Sequence, residues 1–121
     1  MSRLPDDTPI GRLLRERAET RRREAARRAL AALEALDGAG VPAVVVGSLA
    51  RGRFLGHSDV DLFVEDRRGL APEAVIAIVE RAMEDFPFDV LFADRVSDAD
   101  RPFILERTLR AADLRPSRAS A

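Results

Sequence analysis

A chain of 121 residues with a formal charge of −1 fits one domain with a modest core, and its charge balance excludes a general polyanion binder. It has no cysteine, which rules out disulfides, thiolate metal sites and thiol nucleophiles, and no apolar stretch approaches membrane-spanning length. All 20 cationic side chains of the Lys and Arg set are arginines, so any cationic contact to phosphate must come from a guanidinium, with Arg51 and Arg53 the best placed.

In chain order, Met1 to Pro5 reads as unstructured. Asp6-Asp7-Thr8-Pro9 is a helix start, with Thr8 able to cap and Pro9 suited to the first helical position. Ala, Leu, Arg and Glu then carry the helix to Leu36, and Asp37-Gly38-Ala39-Gly40 ends it. Its larger apolar residues sit at the two ends: Ile10, Leu13 and Leu14, then Leu30, Leu33 and Leu36. The middle offers only alanines, so the C-terminal end is expected to pack on the domain. The arginine-rich part, with Arg21-Arg22-Arg23 and Arg27-Arg28, is expected to face solvent or a partner. Glu-Arg pairs at helical spacing and the lack of interleaved aromatics speak against direct nucleic-acid binding there. Glu16, Glu19 and Glu24 also set it apart from an organelle transit peptide, and without a secretory signal a cytoplasmic protein is expected.

Val41 to Val46 reads as a buried strand that runs into Gly47-Ser48 and a short helical turn, Leu49 to Gly52. After a loop, Asp59 to Val64 alternates, with Asp59, Asp61 and Phe63 on one face and Val60, Leu62 and Val64 on the other. Ala71-Pro72-Glu73 opens a helix ending near Asp85, Phe86 to Phe92 forms a third strand, and one helix is expected from Pro102 to Ala112. The tail from Arg115 reads as disordered. The whole is a small α/β or α+β domain, a mixed β-sheet covered by helices on one face, with an extra long N-terminal helix. The division expected is a helical extension over 1–40, a catalytic domain over 41–114 and a tail over 115–121.

The chemistry is carried by three pieces. Asp59 and Asp61 lie two apart on a strand, so their carboxylates point the same way and repel unless a cation sits between them. Gly47-Ser48 supplies small side chains and free backbone N–H groups at a turn, the equipment for holding phosphate. Asp89 stands in an otherwise apolar strand, where a carboxylate is costly without a partner, and joins the pair if the two strands are neighbours. Three carboxylates and a phosphate loop are what two-metal phosphoryl or nucleotidyl transfer requires, with Asp89 placed to orient or deprotonate an attacking hydroxyl. Ser48 has no histidine base and so reads as a phosphate contact rather than a nucleophile. His57, the only histidine, lies in the loop before Ser58-Asp59 and is as well explained by an exposed loop as by a substrate contact.

Gly47-Ser48-Leu49-Ala50-Arg51-Gly52, a ten-residue interval from Ser48, and then Ser58-Asp59-Val60-Asp61-Leu62 resemble the active-site pattern of polymerase-β-like nucleotidyltransferases. More narrowly they resemble the minimal nucleotidyltransferases (MNT), small prokaryotic proteins often paired with HEPN-domain proteins. The resemblance covers about Val41 to Ala112 and does not extend to the arginine-rich helix. It implies that Gly47, Ser48, Arg51 and Ser58 bind the nucleotide, and that Asp59, Asp61 and Asp89 are catalytic and bind magnesium, with two Mg2+ ions. It further implies an antitoxin that transfers AMP from ATP to a tyrosine of a HEPN-type RNase toxin. The short chain after Ala112 fits a partner-supplied acceptor pocket. The rivals are a small-molecule nucleotidyltransferase that completes its pocket as a homodimer, and an antitoxin that neutralises by binding alone.

Overall fold

The computed structural model describes residues 8–116; the expectations for Met1 to Asp7 and for the tail from residue 117 lie outside the described residues. Helix α1 spans Pro9–Gly38. Thr8 caps it as the sequence predicts, its Oγ1 accepting from the Gly11 N–H at 2.9 Å. The helix stops where Gly40 takes φ +77° and the Val41 N–H returns to the Leu36 carbonyl at 2.8 Å.

Strand β1 (Ala43–Val46) leads directly into α2 (Gly47–Ala50), and β2 covers Val60–Val64. Helix α3 (Pro72–Met83) crosses to β3 (Phe88–Phe92), the crossover a parallel strand pair needs. The sheet order is β1-β2-β3, antiparallel between β1 and β2 and parallel between β2 and β3. Because side chains alternate along a strand, one sheet face carries Val45, Val60, Leu62 and Val64, all buried against α1 and against Val75, Val79 and Met83 of α3. The other face carries Val44, Val46 and Phe63, which the segment Ala93 to Leu105 covers through Val96, Ile104 and Leu105. That cover stops short of the positions where β2 and β3 present carboxylates.

Two expectations are corrected. The arginine-rich middle of α1 does not simply face solvent. Ala25, Ala29 and Ala32 are fully buried, and their small side chains let α1 lie close along the domain. Arg28 reaches Glu84 at 2.5 Å and Glu24 at 3.0 Å, and Arg21 lies over the Phe86 ring, 4.5 Å from its centroid. Long arginine stems thus cover apolar surface while their heads find acids or an aromatic face. The first turns are exposed, with Ile10, Leu13 and Leu14 in solvent.

The single helix expected from Pro102 to Ala112 is also broken. A short α4 (Arg101–Ile104) and a short α5 (Ala111–Leu114) flank a stretch in which Leu109 bridges antiparallel to Val45, exchanging both backbone hydrogen bonds at 2.9 Å. Pairing with the free edge of β1 satisfies groups that would otherwise stay unpaired, and this outweighs helix propensity.

Candidate active site

The β1–α2 junction sets the first element of the site. Gly47 has φ +72°, a left-handed conformation open to glycine at no steric cost. A Cβ built there would meet the Asp61 carboxylate, 3.0 Å from its Cγ and closer still to Oδ2. Glycine is therefore required twice: for the turn, and for the approach of the turn's backbone to Asp61. The Ser48 side chain bonds no other described residue, and its carbonyl accepts from the Arg53 N–H at 2.9 Å.

The strand register sets the second. Asp61 is the Cα partner of Val46 on one side and of Asp89 on the other. Paired residues on adjacent strands share a face with backbones about 4.8 Å apart, so the two carboxylates stand side by side. Asp59 precedes β2 on the same alternation and is exposed. The electrostatics agree with this proximity: the Asp61 carboxyl is pushed above its ordinary pKa, first by burial, then by the charge of Asp89, then by that of Asp59. Asp89 is exposed, with one oxygen taking the Val90 N–H at 3.0 Å.

Among the described residues, no three His, Cys, Asp or Glu side chains already converge as a metal cage. The donor set nonetheless fits a hard divalent cation. The groups are all carboxylates, they repel one another, and the most buried of them holds its proton abnormally well, a cost that a cation would relieve.

The remaining predicted residues lie around this core. Ser58 is committed to its own loop, its Oγ accepting from the Leu55 N–H at 2.8 Å. Arg51 closes α2, its N–H on the Gly47 carbonyl at 3.0 Å and a guanidinium nitrogen on the Phe103 carbonyl at 3.2 Å. His57 is exposed. Two arginines come near the site unforeseen. Arg21 donates to the Ser58 carbonyl at 3.2 Å and, over Phe86 (itself stacked with Phe54), ties α1 to the loop that delivers Asp59. Its distance along the chain hid this, and only its place about one turn before the buried Ala25 hinted at it. Arg107 lines a cleft with Arg51, Arg53 and Glu106, where a continuous last helix would not have been expected to put it.

This arrangement can hold a cation and a phosphate chain on one open face, with a carboxylate beside them to take a proton. The model of the nucleotidyltransferase domain family matches residues 26–109, more than half of the chain, and starts within α1 rather than at Val41. The family generally uses a nucleoside triphosphate and a divalent metal. The chain has no significant match among curated proteins or solved structures. With its long helix, mixed three-stranded sheet and matched span, the chain belongs to the nucleotidyltransferase domain family of the polymerase-β-like superfamily and is a transferase of nucleotidyl groups.

Proposed function

We propose that this chain transfers AMP from ATP to the hydroxyl of a tyrosine on a HEPN-type RNase toxin, and so acts as the antitoxin of the pair. The observation that carries the nucleotidyl-transfer reading is the Asp61–Asp89 register pair, set on an open sheet face with Gly47 packed against Asp61. Asp59, Asp61 and Asp89 would hold magnesium, two ions in the full site. Bound there, magnesium would neutralise charge developing on the phosphate oxygens.

The chain's own groups do the rest. The turn at Gly47-Ser48 keeps the phosphates close to Asp61, with the Ser48 hydroxyl free to donate. Arg51 and Ser58 flank the nucleotide. Asp89 orients the acceptor hydroxyl and takes its proton as the new O–P bond forms at the α-phosphorus; the bond from that phosphorus to the β-phosphate oxygen breaks, and pyrophosphate leaves with the electron pair. The acceptor's class is supported by the motif's resemblance to MNT antitoxins and by Phe103. Among the described residues it is the most exposed large apolar side chain, at 72 %, and it sits on α4, which covers part of the same sheet face as the carboxylates. An apolar side chain there suits a protein surface better than a small polar acceptor.

The test is the intact mass of a co-purified HEPN-type partner after incubation with ATP and magnesium. One or more added AMP units with the wild type, and none with Asp61→Ala, are expected. An unmodified partner in a tight complex would instead make this a binding-only antitoxin. Turnover of a small hydroxylated acceptor by the chain alone would favour the homodimeric small-molecule enzyme.

A further inference from the structure

We propose that Arg53 and Arg107, together with Arg51, seat the two terminal phosphates of the triphosphate donor and hold the pyrophosphate as it leaves; this rests on reading the Asp61 face as the site of nucleotidyl transfer. Two of these arginines are tied by backbone hydrogen bonds to the Gly47-Ser48 turn. The Arg51 N–H bonds the Gly47 carbonyl at 3.0 Å, and the Arg53 N–H bonds the Ser48 carbonyl at 2.9 Å. Arg107 arrives through the bridge that broke the expected helix. Leu109 pairs antiparallel with Val45 in a single bridge, so the chain just before it runs toward the end of β1 from which the Gly47-Ser48 turn leaves. The three side chains line one cleft, in which Glu106 is the only carboxylate.

The cleft groups arginines, whereas many others on this surface are matched to acids. Arg22, Arg27, Arg28, Arg67, Arg68, Arg110 and Arg115 each have a carboxylate within 4.0 Å. Arg51 uses one nitrogen on the Phe103 carbonyl, whereas the guanidiniums of Arg53 and Arg107 have no partner among the described residues. Three cations facing one anion leave a net positive pocket beside a phosphate-binding turn. Guanidinium forks match phosphate oxygens two at a time, which suits them to a polyphosphate. As the bond between the α-phosphorus and the bridging oxygen breaks, negative charge collects on the departing diphosphate, and fixed cations there stabilise that state more than the ground state. A nucleoside monophosphate has no β- or γ-phosphate for them to hold, so the cleft distinguishes ATP from AMP.

Calorimetric titration of the full chain with magnesium present tests this. The ligands are ATP, AMP and inorganic tripolyphosphate; the proteins are wild type, Arg53→Gln, Arg107→Gln, Arg107→Lys and, as a control, the exposed α3 variant Arg81→Gln. The expected result is a loss of about tenfold in ATP and tripolyphosphate affinity for each cleft glutamine variant, about what one charge-assisted contact is worth. AMP binding stays unchanged, Arg107→Lys is partly restored and Arg81→Gln behaves as wild type. ATP affinity equal to wild type in both cleft variants, or ATP and AMP weakened alike, overturns the cleft. If Asp61→Asn abolishes ATP binding while the cleft variants retain it, only the cleft falls. A wild type that binds neither ATP nor tripolyphosphate overturns the underlying reading as well.

Discussion

Asp61 is the residue on which the site's chemistry and the fold's stability meet. It is half-buried, flanked by Val46 on one strand and Asp89 on the other, with Gly47 against its carboxylate. Its native pKa is raised, so over the window between the unfolded and native values the folded chain keeps a proton that the unfolded chain has released. Stability therefore falls as pH rises through that window. The penalty is absent below the ordinary carboxylate range and complete above the native value. Asp61→Asn should then raise the melting midpoint of the metal-free protein at neutral pH by about 1–4 °C, the range that relief of one like-charge contact gives in a small domain. Near pH 3, about a unit below the ordinary Asp value, the difference should vanish. Magnesium should invert the order, raising the wild-type midpoint and leaving Asp61→Asn where it was, because a ligand stabilises only the state that binds it. Scanning calorimetry with and without magnesium reads both signs; a variant that melts below the metal-free wild type at neutral pH would refute the assignment.

At the scale of elements, the tightest constraint is the packing of α1 on α3. Ala25, Ala29 and Ala32 have no exposed surface, and Val75, Val79 and Met83 of α3 belong to the same core cluster. Ala29→Leu should cost about 1–3 kcal/mol by overpacking, measured by denaturant melts; the same change at exposed Ala35 should cost nothing measurable. The β1–α2 turn and β2 were legible because β-branched runs, strict alternation and Gly-Ser are unambiguous local signals. Asp89 was legible because a carboxylate in a strand needs a reason. Alanine among arginines gave no such signal, since it is equally at home in a solvated helix and a close-packed one. Nor could Leu109 reveal its bridge to Val45. One leucine after Pro102-Phe103-Ile104-Leu105 continues a helical pattern, and only the neighbouring strand's free edge decides otherwise.

For the whole molecule, the question is whether α1 is an appendage or a wall of the domain. The sequence suggests a division at residue 40, leaving every motif residue beyond it. The packing divides α1 itself instead. Before Arg21 its large apolar residues are exposed; from Ala25 onward it contributes Ala25, Ala29, Ala32, Leu33 and Leu36 to the core, and Arg28 clamps it to Glu84 at the end of α3. A three-stranded sheet cannot lose the helical cover of its larger core face and keep a cooperative fold. Removing residues 1–20 should leave a cooperative thermal transition within a few degrees of the full chain, since among the described residues of that stretch only Gly11 is buried. Removing residues 1–30 deletes Ala25, Arg28 and Ala29, and should abolish the sharp transition although the Gly47-Ser48 turn and all three carboxylates remain. Circular dichroism melts of the two truncations decide it. If the shorter chain melts as sharply and at the same temperature as the longer, α1 is a detachable extension, the boundary belongs at Val41, and the arginine-rich helix is free to serve a partner alone. If it does not, the same helix that braces the Ser58 loop through Arg21 also holds the sheet, and anything that docks on its exposed first turns pulls on an element fastened to the active site.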